Sequence, residues 1–186
     1  MVATPYYAGS LLLAMPGIGD TRFERAVIAM CVHDGDGAMG IGIGRGESGI
    51  SLHELMRQLD IDPIHCPDVP VLAGGPVEPR RGFVIHSRDW GGEGTIDVAG
   101  GWALSASIDI LRAIAEERGP TRYIVALGYA GWGAGQLEGE MTRHGWLVVP
   151  ASLDLLFGVP ADQRWQAALG ASGIDAAHLS GQSGRA

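Results

Sequence analysis

The chain has 186 residues, 46% of them hydrophobic and 18% charged, and carries a formal net charge of −8 at pH 7. That length suits one domain with a substantial core, and no apolar run nears the ~20 residues that cross a bilayer as a helix. The 13 cations are scattered and all are arginine, which argues against direct nucleic-acid binding and, without lysine, excludes a Walker-type phosphate loop, a Schiff base and a serine–lysine dyad.

Residues 10–15 read as a first strand, closed by the turn composition PGIGD, with Asp20 placed to cap a short segment over 21–25. Strand patterns follow at 26–33 and 38–44, joined by HDGDG, whose Asp-Gly pairs signal a hairpin rather than a calcium loop. Ser51 and Glu54 stand in capping-box relation ahead of Leu52, Leu55, Met56 and Leu59, predicting a helix over 51–59. A strand at 69–73, a GGPVEP turn, a strand at 82–87 and a short strand at 95–98 come next, then a helix over 107–118 stopped by Gly119-Pro120. The last third predicts a strand at 122–129, a glycine turn, a helix over 135–144, a strand at 146–149 and helices at 154–157 and 161–169. Hairpins in the first two thirds and strand–helix–strand stretches later argue an α+β fold with a mixed sheet. The tail from Ser180 is small and polar, so the domain is expected over 1–179 with a flexible tail at 180–186.

Two segments concentrate the residues that bind. GYAGWGAGQLE, residues 128–138, sets four glycines and Trp132 between a strand and a helix start. Such a turn either lets elements pack closely or offers N–H groups near Gly133, Gly135 and Gln136 to an anion, with Glu138 on the first helical turn. GWGAG falls one residue short of a dinucleotide fingerprint. RRGFVIHS, residues 80–87, alternates Arg81, Phe83, Ile85 and Ser87 on one face with Gly82, Val84 and His86 on the other, so His86 and Ser87 form no catalytic pair along a regular strand. A strand-end turn role suits Ser87.

No histidine pair has HxH or HExxH spacing, and Cys31 and Cys66 lack a CxxC, so the sequence presents no metal or cofactor motif. Both cysteines read as reduced structural residues. No basic residue precedes the apolar run at 11–15 as in a secretory signal, and a cytoplasmic location without membrane attachment is expected.

GSLLLAMPGIGD (9–20), GGPVEPRRGFVIHS (74–87), LGYAGWGAGQLEGEM (127–141) and RWQAALGASGID (164–175), in this order, resemble the YqgE/AlgH family of bacterial proteins. The resemblance implies a branched sheet curled into a partial barrel with helices packed outside, and it brings a transcriptional-regulator label but no reaction. The chain departs from the family pattern at GIGIGRGESG, residues 40–49, where something like GLVLNRP is expected.

The expected function is a ligand- or partner-binding regulatory protein, its site formed by Arg81, His86, Ser87, Trp132, Gly133, Gly135, Gln136 and Glu138, and its partner an unidentified protein or a small anionic ligand. The alternative is an enzyme acting on an anionic small molecule, with Arg81 holding the anion and His86 or Glu138 as acid or base. Catalysis would require Arg81, His86 and Glu138 to meet at one cleft.

Overall fold

Strand β1 (Ser10–Ala14) buries both of its faces, because Leu11 and Leu13 belong to one apolar cluster while Leu12 and Ala14 belong to another. The computed structural model describes residues 6–16, 24–143 and 145–174. Asp20, most of the short segment it is expected to cap, and the tail from Ser180 lie outside the described residues.

The strands are β1, β2 (Val27–Asp34), β3 (Gly37–Gly42), β4 (Glu47–Ser51), β5 (Pro70–Ala73), β6 (Val77–Ser87), β7 (Ile96–Val98), β8 (Trp102–Ser105), β9 (Tyr123–Gly133) and β10 (Trp146–Pro150). They form one curled half-barrel sheet in the order β10-β1-β2-β3-β9-β6-β8-β7, with β4–β5 branching off where β5 runs parallel to β9. The architecture is therefore the mixed, branched, partly closed sheet that the resemblance implies.

Among the described residues four α-helices cover it: α1 (Leu52–Gln58), α2 (Ile108–Ala115), α3 (Gln136–Thr142) and α4 (Arg164–Ala171). The capping box of α1 is present, with the Ser51 hydroxyl accepting from the Glu54 N–H and the Glu54 carboxylate accepting from the Ser51 N–H. Leu52, Leu55 and Met56 pack with Ile110 and Ile114 of α2 over Val84 and Val125 of the sheet; at about 1.5–3 kcal/mol per large side chain, this burial outweighs what caps contribute. Helix α4 lies on the opposite sheet face, where Trp165 and Leu169 join Leu11, Phe83 and Ile85.

Four elements differ from expectation. β4 and β8 are strands that the pattern does not announce, and β6 begins at Val77 rather than Gly82, so much of GGPVEP is strand. The glycine turn is largely strand as well, since β9 continues to Gly133. Ile124 and Ala126 face one cluster and Val125 the other; beyond Gly128, at φ +78°, Tyr129 takes the first face and Ala130 and Trp132 take the second. One left-handed glycine shifts the alternation by a residue, as a bulge does, and lets β9 serve β6 and β5 with its first half and β3 with its last.

Candidate functional site

β6, β8 and the shifted half of β9 line an open groove of about 700 Å³. Phe83 and Leu104, buried, and Tyr129, half-buried, form its floor, the exposed Val77 and Ile96 its mouth, and Arg81 lines it together with Asp34 and Asp36 of the β2–β3 hairpin. Phe83 and Tyr129 meet edge to face at 5.7 Å, an arrangement their ring quadrupoles favour. The Arg81 guanidinium lies 5.2 Å over the Phe83 ring and donates to Glu78 at 3.3 Å. That exposed ion pair is worth at most about 1 kcal/mol, so Arg81 is exchangeable toward an incoming carboxylate.

His86 points away from this groove. Its ring is fully buried and lies edge-on to Trp90. Nδ1–H donates to the Ser87 carbonyl at 2.8 Å, Nε2 accepts from the Ser105 hydroxyl at 2.8 Å, and Ser105 lies 2.8 Å from the Thr95 hydroxyl. A carbonyl can only accept, so Nδ1 carries a proton, and burial, which pushes the ring below its ordinary pKa, favours the neutral form with Nε2 as acceptor. Ser87 caps the strand end as expected: its hydroxyl donates to Asp89 at 2.6 Å and accepts from the Arg122 N–H at 3.1 Å. Asp89 is held below the ordinary carboxylate range by Ser87 and Thr121.

In the glycine segment one N–H of the expected anion cradle is taken from within. The Gly133 N–H donates to the Gln136 side chain at 3.0 Å, and Gly135 at φ +72° is the left-handed residue that opens α3. Trp132 turns beneath α3, where its indole N–H donates to Glu140 at 3.0 Å. Glu138 accepts from His33 Nε2 at 3.0 Å, its carboxyl held low by its own backbone N–H and by that ring. The close-approach role of the glycines belongs instead to Gly128, whose absent Cβ would sit 2.3 Å from the Gly75 carbonyl oxygen.

Of the eight expected site residues, Arg81 and Trp132 border one groove; His86 and Ser87 belong to the far end of β6, and Gln136 and Glu138 spend their hydrogen bonds on Gly133 and His33. Arg81 and His86 sit on opposite faces of one strand, so the structure does not gather Arg81, His86 and Glu138 around a substrate. Sequence reading misses Leu104 because β8, only four residues of mostly small and apolar side chains, gives too short a pattern to register. Ile96 falls in the strand expected at 95–98, but nothing local marks it as part of a site.

Desolvation lowers the pKa of His86 from its ordinary 6.5, opposed by the Ser87 carbonyl, Asp89 and Asp97. The unfolded chain therefore binds this proton more readily, so the contribution is complete above pH 6.5 and is lost as pH falls below it. Urea midpoints are expected to drop between pH 7 and pH 5, and His86→Asn is expected to flatten that slope. Asp89 and Glu138 lose their contributions only at lower pH. An unchanged slope in the variant would remove His86 as its source.

A family model described as DUF179, AlgH-like, matches residues 11–177. The chain belongs to the AlgH-like family. A UPF0301 protein of Novosphingobium aromaticivorans is 60% identical over 186 residues, covering 100% of both chains, and one of Rhodospirillum rubrum is 50% identical over 97% of this chain and 95% of its own. The solution structure of AlgH from Pseudomonas aeruginosa superposes with a TM-score of 0.79 at 38% identity over 100% of this chain and 99% of that one. Protein DIP2367 of Corynebacterium diphtheriae, at 19% identity and a TM-score of 0.68 over 89% of this chain and 86% of its own, shares the fold. Among the described residues of this AlgH-like chain no helix is long and apolar enough to cross a membrane, and no group of three or more His, Cys, Asp or Glu is placed to hold a metal ion.

Proposed function

We propose that this AlgH-like protein is a regulatory binding protein rather than a catalyst, and that its open groove receives an extended apolar segment of a partner protein whose carboxylate meets Arg81. The observation that carries this is the mouth of the groove: Ile96 is 46% exposed and Val77 36%, and they line the same groove as the Arg81 cation. Exposed apolar side chains converging on a concavity with a few placed charges are the usual make-up of a recognition surface. Ile96 also lies on β7, the last strand of the sheet order, whose outer edge is unpaired among the described residues and offers backbone groups to an added strand. The net charge of −8 supports regulation through protein contact in preference to direct contact with DNA.

A photo-crosslinking residue placed at position 96 tests the reading in living cells, with the exposed Ile64, which does not line the groove, as the control position. A discrete adduct is expected from position 96, absent from position 64 and weakened by Arg81→Ala at unchanged thermal stability. Identical, diffuse labelling from both positions would overturn it.

A further inference from the structure

A second concavity, of about 890 Å³, opens between the β4–β5 branch, the start of β9 and the approach to α4. Arg164, the first residue of α4, lines it and is only 7% exposed. Its Nη1 donates to the Ile43 carbonyl at 2.6 Å, its Nε is buried with no acceptor, and it forms no ion pair among the described residues. Burial lowers its pKa to about 10, which still leaves it cationic at neutral pH. A desolvated charge without a counter-charge is costly and is retained where something compensates it. With Nη1 committed to Ile43 and Nε sealed from solvent, the Nη2 end is the part of the guanidinium left to an incoming oxygen, and a carboxylate or phosphate seated there also stands beside the unpaired Nε.

Two further arginines line the same cleft from other elements, Arg45 after β3 and Arg122 before β9. Arg122 has only a long contact, 3.9 Å, to the exposed Asp154. Glu47, Asp154 and Asp162 also line the cleft, so it is not a uniformly positive surface, and an anion is favoured only where Arg164 presents its unused edge. Phe157 adds an apolar wall. We infer that this cleft is a binding site for a small organic anion, its carboxylate or phosphate head held by the Nη2 end of Arg164, with Arg45 and Arg122 at the entrance and its apolar body against Phe157. The site is separate from the Arg81 groove.

Arginine Nε–H signals in a ¹⁵N spectrum report on it directly, since the chain has 13 arginines and no lysine background. The full-length protein is titrated with benzoate, with phenyl phosphate and with neutral benzyl alcohol, and the Arg164 signal is assigned by its loss in Arg164→Gln. Saturable movement of that signal with either anion and none with the alcohol is expected, the stronger anion identifying the head group. Arg45→Gln and Arg122→Gln, both outside the core, should each weaken the anion several-fold at unchanged melting temperature, so the inference stays testable if Arg164→Gln does not fold. An Arg164 signal that no anion moves, or anion shifts spread evenly over the exposed arginines, would overturn it.

Discussion

Gly128→Val is expected to cost about 4 kcal/mol or more, enough to lower the melting temperature by roughly 10 °C in a chain of this size or to prevent folding. Two independent penalties meet there. The residue sits at φ +78°, where a β-branched side chain is strained, and the new Cβ would stand 2.3 Å from the Gly75 carbonyl oxygen and 3.2 Å from Pro79 Cα and the Val77 carbonyl oxygen. All of these neighbours are backbone, so none can swing aside. The contact is reciprocal, because a Cβ at Gly75 would lie 2.1 Å from the Tyr129 carbonyl carbon and one at Gly74 would lie 2.3 Å from the Gly128 carbonyl oxygen. Gly133→Ala is the control: its nearest neighbour is 3.9 Å away and its φ is unexceptional, so a change within about 0.5 kcal/mol is expected. Gly135→Ala falls between, with open space but φ +72°, at about 1 kcal/mol. Equal melting temperatures for Gly128→Val and Gly133→Ala would refute this account of the fork.

The same residue explains what the sequence can and cannot disclose. A glycine-rich string behind an apolar run reads as a turn, because composition reports permissiveness and not the direction the chain takes. Here the permissive residue is used inside a strand. Gly128 resets which side chains face the groove, and the information that it does so lies in Gly74 and Gly75, far earlier in the chain. Features set by neighbours in sequence are legible: the capping box at Ser51 and Glu54, the Asp34–Gly37 hairpin and the alternation through Phe83, Val84 and Ile85 all appear as expected. The alternation along β6 also puts Arg81 and His86 on opposite faces, and that separation removes His86 as an acid or base for a substrate held by Arg81.

The candidate sites are legible only in part because their chemistry is assembled from distant elements. Arg81 stands out in the sequence, but the apolar mouth that gives it meaning comes from Val77 at the start of β6 and Ile96 on β7. Nothing local marks Arg164: in sequence it is a polar residue opening an amphipathic helix, and only the Ile43 carbonyl, 121 residues away, shows that its guanidinium is buried. Gln136 illustrates the converse. Its place at a helix start predicts an N–H offered to an anion, whereas its side-chain oxygen takes the N–H of Gly133, one of the donors that such an anion would use.

Glu140→Ala is expected to destabilise the protein by about 2–4 kcal/mol, the cost of removing a charged acceptor from partly buried donors. One carboxylate oxygen of Glu140 accepts from the indole N–H of Trp132 on β9 and of Trp146 on β10, each at 3.0 Å, while the other takes the Gln136 amide at 3.4 Å. Those two strands are separated by β3, β2 and β1 in the sheet order, so a single side chain of α3 spans the curled surface and holds two indoles edge to face at 6.3 Å. Glu140→Gln keeps an uncharged oxygen that can accept twice, and about half the loss is expected. Of the chain's five indole N–H signals, those of Trp132 and Trp146 should move together in Glu140→Ala while the other three stay. Because Trp132 and Gly131 border the Arg81 groove, release of this clamp should also weaken crosslinking from position 96. A stable Glu140→Ala protein with both indole signals in place would show that burial alone holds α3 on the sheet.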